Sequence, residues 1–108
     1  MSETKFTPGP WEVKPKEKNV PYLRIRGKSL GRRYKIANVL SVTAEESDED
    51  RETKANAHLI AAAPEMFQTL EDVLDALTDG GLRVLSKEQN DYHVRTIKRI
   101  LAKALGEI

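Results

Sequence analysis

The chain has 108 residues, 39% of them hydrophobic and 32% charged, with a net charge of +1. That balance fits one globular domain with a modest core and excludes a disordered polyelectrolyte. The absence of cysteine excludes disulfides and thiolate metal sites. No apolar run approaches the roughly 20 residues of a membrane-spanning helix, and the start, Met-Ser-Glu-Thr-Lys, lacks the apolar segment of a signal peptide, so a cytosolic protein with no membrane partner is expected.

In chain order, Thr7-Pro8-Gly9-Pro10-Trp11 forbids helix and suits a bent, extended arm. Trp11-Glu12-Val13 alternates as a short first strand would, and Trp11, the only tryptophan, is expected to anchor the arm to the core. Residues 14–19 form a charged turn. Tyr22-Leu23-Arg24-Ile25-Arg26 predicts a second strand, with Leu23 and Ile25 on one face and the two arginines on the other. The glycines of Gly27-Lys28-Ser29-Leu30-Gly31 suit a hairpin loop. Residues 33–42 read as a third strand, with Tyr34, Ile36, Leu40 and Val42 on one face and Lys35, Ala37, Val39 and Ser41 on the other. Asn38 interrupts the apolar row.

The acidic stretch from Thr43 to Glu52 reads as a solvated loop leading into a helix near residue 48, because Ser47 followed by Asp50 has the spacing of a cap. Alanine-rich residues 55–63 continue that helix. Pro64 ends it near Ala63 and takes the first turn of the next. Met66, Phe67, Leu70, Val73, Leu74 and Leu77 then recur at helical spacing, and Asp79-Gly80-Gly81 stops the helix. Leu82, Val84 and Leu85 form a connector. Ser86 with Gln89 caps a last helix whose buried stripe is Val94, Ile97, Leu101, Ala104, Leu105 and Ile108. Strands first and helices afterwards predict a single α+β domain, a three-stranded antiparallel sheet followed by two to three helices packed on one face. Residues 1–44 form its β part and residues 45–108 its helical part.

Three of these segments, Thr7-Pro8-Gly9-Pro10-Trp11, Lys35-Ile36-Ala37-Asn38-Val39 and Ala55-Asn56-Ala57-His58-Leu59-Ile60-Ala61-Ala62-Ala63-Pro64-Glu65-Met66, together resemble a family of small, uncharacterised proteins of tailed bacteriophages and prophages. The likeness spans roughly residues 7–70 and leaves aside the charged turn and the last helix. It implies an accessory phage protein in a bacterial cytoplasm and brings no activity or site residues with it.

The residues themselves give little chemistry. His58 and His93 stand apart, without the spacing of metal ligands. No serine sits in a nucleophile motif, no glycine-rich phosphate loop occurs, and the carboxylates at 45–52 read as a solvated run. No cofactor and no enzymatic activity are expected. Trp11, Asn56, His58 and Pro64 are read as a structural motif, with Asn56 bonding the sheet or the arm and so locking helix to sheet.

Charge carries the stronger binding signal. Residues 1–44 total +7, residues 45–79 total −9 and residues 80–108 total +3, an asymmetry that either marks a surface for a charged partner or lets one half attract the other. Arg24, Arg26, Lys28, Arg32, Arg33 and Lys35 gather on the hairpin as a candidate binding set. Two functions follow: an accessory protein that binds, and inhibits or redirects, a host protein, or a nucleic-acid or nucleotide binder using the basic hairpin. A homodimer through the Leu70 to Leu77 face is compatible with both.

Overall fold

A computed structural model describes residues 5–28, 34–79, 85–105 and 107. Its elements run β1 (Trp11–Val13), β2 (Tyr22–Gly27), β3 (Lys35–Leu40), α1 (Asp48–Ala61), α2 (Ala63–Thr78) and α3 (Lys87–Ala104). The class is α+β, as the order of patterns requires. Two compact units divide the chain, Met1–Glu65 and Met66–Ile108, and the boundary falls in the first turn of α2.

In the first unit the strands form an antiparallel sheet in the order β1-β2-β3, and α1 lies across all three. Side-chain alternation fixes which residues meet the helix. Val13, Ile25 and Ala37 share one register row and Leu23 and Val39 another, and they pack with Trp11 and Ile36 against Ala57 and Ala61 of α1. The helix therefore meets the sheet through alanines, which allow close approach. Trp11 anchors the arm as expected: its indole N–H donates to the Thr7 carbonyl at 3.0 Å, and Phe6 meets its ring edge-on at 6.4 Å.

The face of β3 that meets α1 differs from the apolar row of the sequence. Arg26 pairs with Lys35 although Ile25 pairs with Ala37, so β3 carries one extra residue, a bulge at Ile36. The bulge breaks strict alternation. Ile36 turns to the core beside Ala37 and Val39, while Leu40 and Val42 are left exposed.

Both helix starts follow their caps. Ser47 Oγ accepts from Asp50 N, and Ser86 with Gln89 forms a full capping box. α1 ends at its cap residue Ala62, and Pro64 occupies the first turn of α2, where its missing N–H leaves nothing unbonded. In the second unit α2 buries Phe67 and Leu77, α3 buries Ile97 and Leu101, and Asn90 Nδ2 donates to the Leu77 carbonyl at 3.0 Å. Ala104 and Leu105, expected in the buried stripe, are exposed. The hairpin loop at 29–31, Gly80, Gly81, Leu82, Val84 and Ile108 lie outside the described residues.

Candidate binding surface on the sheet

The sheet face away from α1 gathers the residues of opposite parity: Glu12, Tyr22, Arg24, Arg26, Lys35, Asn38 and Leu40. This juxtaposes Arg24, Arg26 and Lys35, as the sequence required, but they do not form a row of free cations. Arg26 is only 7% exposed. Its Nη1 donates to the carbonyls of Ile25 at 2.8 Å and Ala37 at 3.0 Å, and its Nη2 donates to Asn38 Oδ1 at 2.9 Å. The guanidinium thus satisfies carbonyls beside the bulge, where the ladder is interrupted. Arg24 pairs with Glu17 at 2.8 Å. Lys28 and Lys35 are exposed, and Arg32 and Arg33 lie outside the described residues.

Beside this face, an open groove of about 450 Å³ separates the β1–β2 connection from the segment after β3. Its lining includes Lys16, Val20, Ser41, Val42, Thr43 and Glu45. Lys16 Nζ donates to the Ser41 carbonyl at 3.0 Å and to its Oγ at 3.3 Å, tying the two sides together. Thr43 Oγ1 is buried without a partner. Val42 in this lining is 69% exposed, and nearby in sequence Leu40 is 67% exposed. Leu40 ends β3, an edge strand in the sheet order, and Val42 lies two residues beyond it.

Behind the groove segment, Asp50 is a polar residue that the acidic stretch concealed. It is fully buried. Its Oδ2 accepts from Lys54 Nζ and from the Glu46 N–H, both at 3.0 Å, while Oδ1 is buried without a partner. The Lys54 hydrogen bond, then the Glu46 N–H, hold its carboxyl below the ordinary aspartate range, and burial opposes them. Asp50 raises the Lys54 ammonium in turn. Glu46 has φ of 63°, a left-handed backbone that costs a non-glycine residue about 1–2 kcal/mol, and the Asp50 carboxylate fixes that turn. The Ser47–Asp50 spacing was the available signal, and it revealed the cap but not the burial.

The motif residues divide sharply. Trp11 and Pro64 are structural: a Cβ on Gly9 would stand 2.9 Å from Pro64 Cβ and 3.0 Å from Glu65 Oε1, so the proline-glycine arm and the Pro64 turn are in close contact. Asn56 is corrected. It is exposed on α1 and bonds neither sheet nor arm, because Ala57 and Ala61 occupy the buried side and Asn56 points elsewhere around the helix. His58 is exposed as well. Among the described residues no group of three or more His, Cys, Asp or Glu side chains converges as metal ligands, and no helix is long and apolar enough to cross a membrane.

A family model described as Salmonella phage P22 protein Y8K6 matches residues 1–108. The chain belongs to this phage protein family. Membership of the P22 Y8K6 family extends over the charged turn at 14–19 and α3, which the sequence resemblance left aside. No curated protein and no solved structure matches the chain.

Proposed function

We propose that this member of the Y8K6 family is a non-enzymatic phage accessory protein that acts in the host cytoplasm by binding, and thereby inhibiting or redirecting, a bacterial host protein. The observation that carries this reading is the exposure of Leu40, the last residue of edge strand β3, and of Val42, two residues on in the lining of the open groove. Large apolar side chains grouped at a rim of polar residues are the composition of a protein contact. The edge of β3 also offers backbone groups to an extended partner segment. Tagged protein incubated with lysate of a phage host should retain a reproducible host protein. Leu40→Asp with Val42→Asp should abolish that retention, and recovery of no reproducible partner by the unaltered chain overturns the reading.

A second reading, nucleic acid or a nucleotide on the basic hairpin, is supported by the exposure of Lys28 and Lys35. Against it stands the commitment of Arg26 and Arg24 to partners within the chain. Phosphate contacts weaken steeply as salt rises. Titration of RNA, DNA and cyclic nucleotides across salt concentrations discriminates the two readings: salt-sensitive binding that is lost with Lys28→Ala and Lys35→Ala supports the second, and no binding at low salt eliminates it.

A further inference from the structure

The outer face of α3 carries a run of unpaired cations. From Tyr92 to Leu105 the chain holds Arg95, Lys98, Arg99 and Lys103 and no acidic residue. All four are exposed. Arg95, Arg99 and Lys103 recur every fourth residue on the side opposite the buried Ile97 and Leu101, and Lys98 flanks them. Among the described residues none of the four makes an ion pair. Asp91, one turn before Arg95, pairs with Lys87 instead at 3.3 Å. Like charges four residues apart on a helix repel and lower its stability, and only Lys103 stands in the last turn, where the helix dipole favours a cation. α3 thus bears a charge pattern that costs the helix stability and that no partner on the helix offsets.

We propose that this face binds single-stranded nucleic acid. At about 1.5 Å of rise per residue, cations four residues apart fall about 6 Å from one another along the axis, close to the roughly 7 Å of two nucleotide steps in a strand. Tyr92 supplies the second element. It lies on the same face three residues before Arg95, is 57% exposed, and meets the ring of exposed His93 with centroids 5.4 Å apart and planes at 71°. An exposed ring at the end of a row of cations combines a stacking platform with a phosphate track. A duplex keeps its base faces stacked inside and offers this ring nothing to stack on. An anionic membrane is the poorer match, because an interfacial helix inserts its apolar stripe, and Ile97 and Leu101 are only 8% and 9% exposed. The surface is separate from Lys28 and Lys35 on the hairpin, and all its residues lie on one helix of the unit Met66–Ile108.

Fluorescence anisotropy on the full chain tests this, with labelled probes of about 20 nucleotides, longer than one binding site of this kind: single-stranded DNA, single-stranded RNA and a DNA duplex. At low salt either or both single strands should bind, and more tightly than the duplex. The log–log salt slope should be about −2 to −3, at about 0.7 per phosphate for three or four contacts. Arg95→Gln combined with Arg99→Gln should weaken binding roughly tenfold or more and flatten the slope by about 1 to 2, whereas Arg95→Lys with Arg99→Lys should keep the slope. Tyr92→Ala should weaken binding roughly fivefold or more at unchanged slope. Lys28→Ala with Lys35→Ala should leave binding unchanged, which separates this face from the hairpin. Glutamine and lysine are good helix formers, and circular dichroism checks that each variant keeps its helices. The proposal is overturned if the full chain binds no single strand at low salt, the result expected if its own acidic stretch covers this face. It is equally overturned by binding that the double glutamine variant retains, by a preference for the duplex, or by capture on phosphatidylglycerol vesicles without binding to the oligonucleotides.

Discussion

Arg26 shows how a residue chosen for its charge serves the backbone instead. A β-bulge leaves carbonyls without ladder partners, and a buried carbonyl without a hydrogen bond costs about 1–3 kcal/mol. The planar fork of a guanidinium reaches the carbonyls of Ile25 and Ala37 and the Asn38 amide together. A lysine, with a compact ammonium, cannot reproduce that geometry. Arg26→Ala should lower the unfolding free energy by about 1–3 kcal/mol in denaturant titration, and Arg26→Lys should recover only part of it. Asp50 gives the corresponding case for an acid. Its folded-state acidity is enhanced, so protons bind more tightly to the unfolded chain, and the stabilisation is present above the unfolded pKa and lost as pH falls through the folded one. The thermal midpoint of the unaltered protein should decline on acidification through the carboxylate range. Asp50→Asn should be less stable at neutral pH and should show a flatter acid limb. An acid limb of unchanged slope in the variant would assign the decline to other carboxylates.

At the scale of elements, the helix on the sheet depends on smallness. Ala57 is fully buried between α1 and the strands, and added methylenes in a close-packed contact cost about 1–3 kcal/mol. Ala57→Leu should destabilise by that amount in denaturant titration, whereas Ala55→Leu on the exposed side should stay within about 0.5 kcal/mol of the parent. The arm depends on smallness in the same way. Gly9→Ala would drive a methyl against Pro64 Cβ at 2.9 Å, and overpacking of about 1–3 kcal/mol is expected; combining it with Pro64→Gly, which removes that Cβ, should yield less than the sum of the single losses. These contacts explain what sequence could show. Strand and helix positions, the Ser47 and Ser86 caps and the Pro64 break were legible because each rests on local patterns of two to four residues. The register of β3 was not, because a bulge changes parity without changing composition. Asn56 was misread because polarity among alanines says nothing about which side of the helix meets the sheet. In the candidate basic set, Arg24, Arg26 and Lys35 were correctly placed together, but the burial of Arg26 depends on carbonyls that only the folded bulge exposes.

Across the whole molecule, the segregation of charge raises the question of whether the basic and acidic stretches hold each other. The ion pairs among the described residues are Lys14 with Glu12, Arg24 with Glu17, Arg51 with Asp48, Lys54 with Asp50 and Lys87 with Asp91. Each joins near neighbours in sequence, and none links the basic stretch at 1–44 to the acidic stretch at 45–79. Exposed pairs of this kind contribute about 0–1 kcal/mol each and are screened within about 10 Å at 0.1 M salt. The buried Asp50 carboxylate, shielded from solvent, is screened less. Folding stability should therefore be nearly insensitive to salt, with the denaturant midpoint of a dilute, monomeric sample changing little between low and molar sodium chloride. A large loss of monomer stability with salt would show instead that the opposed charges are spent within one chain.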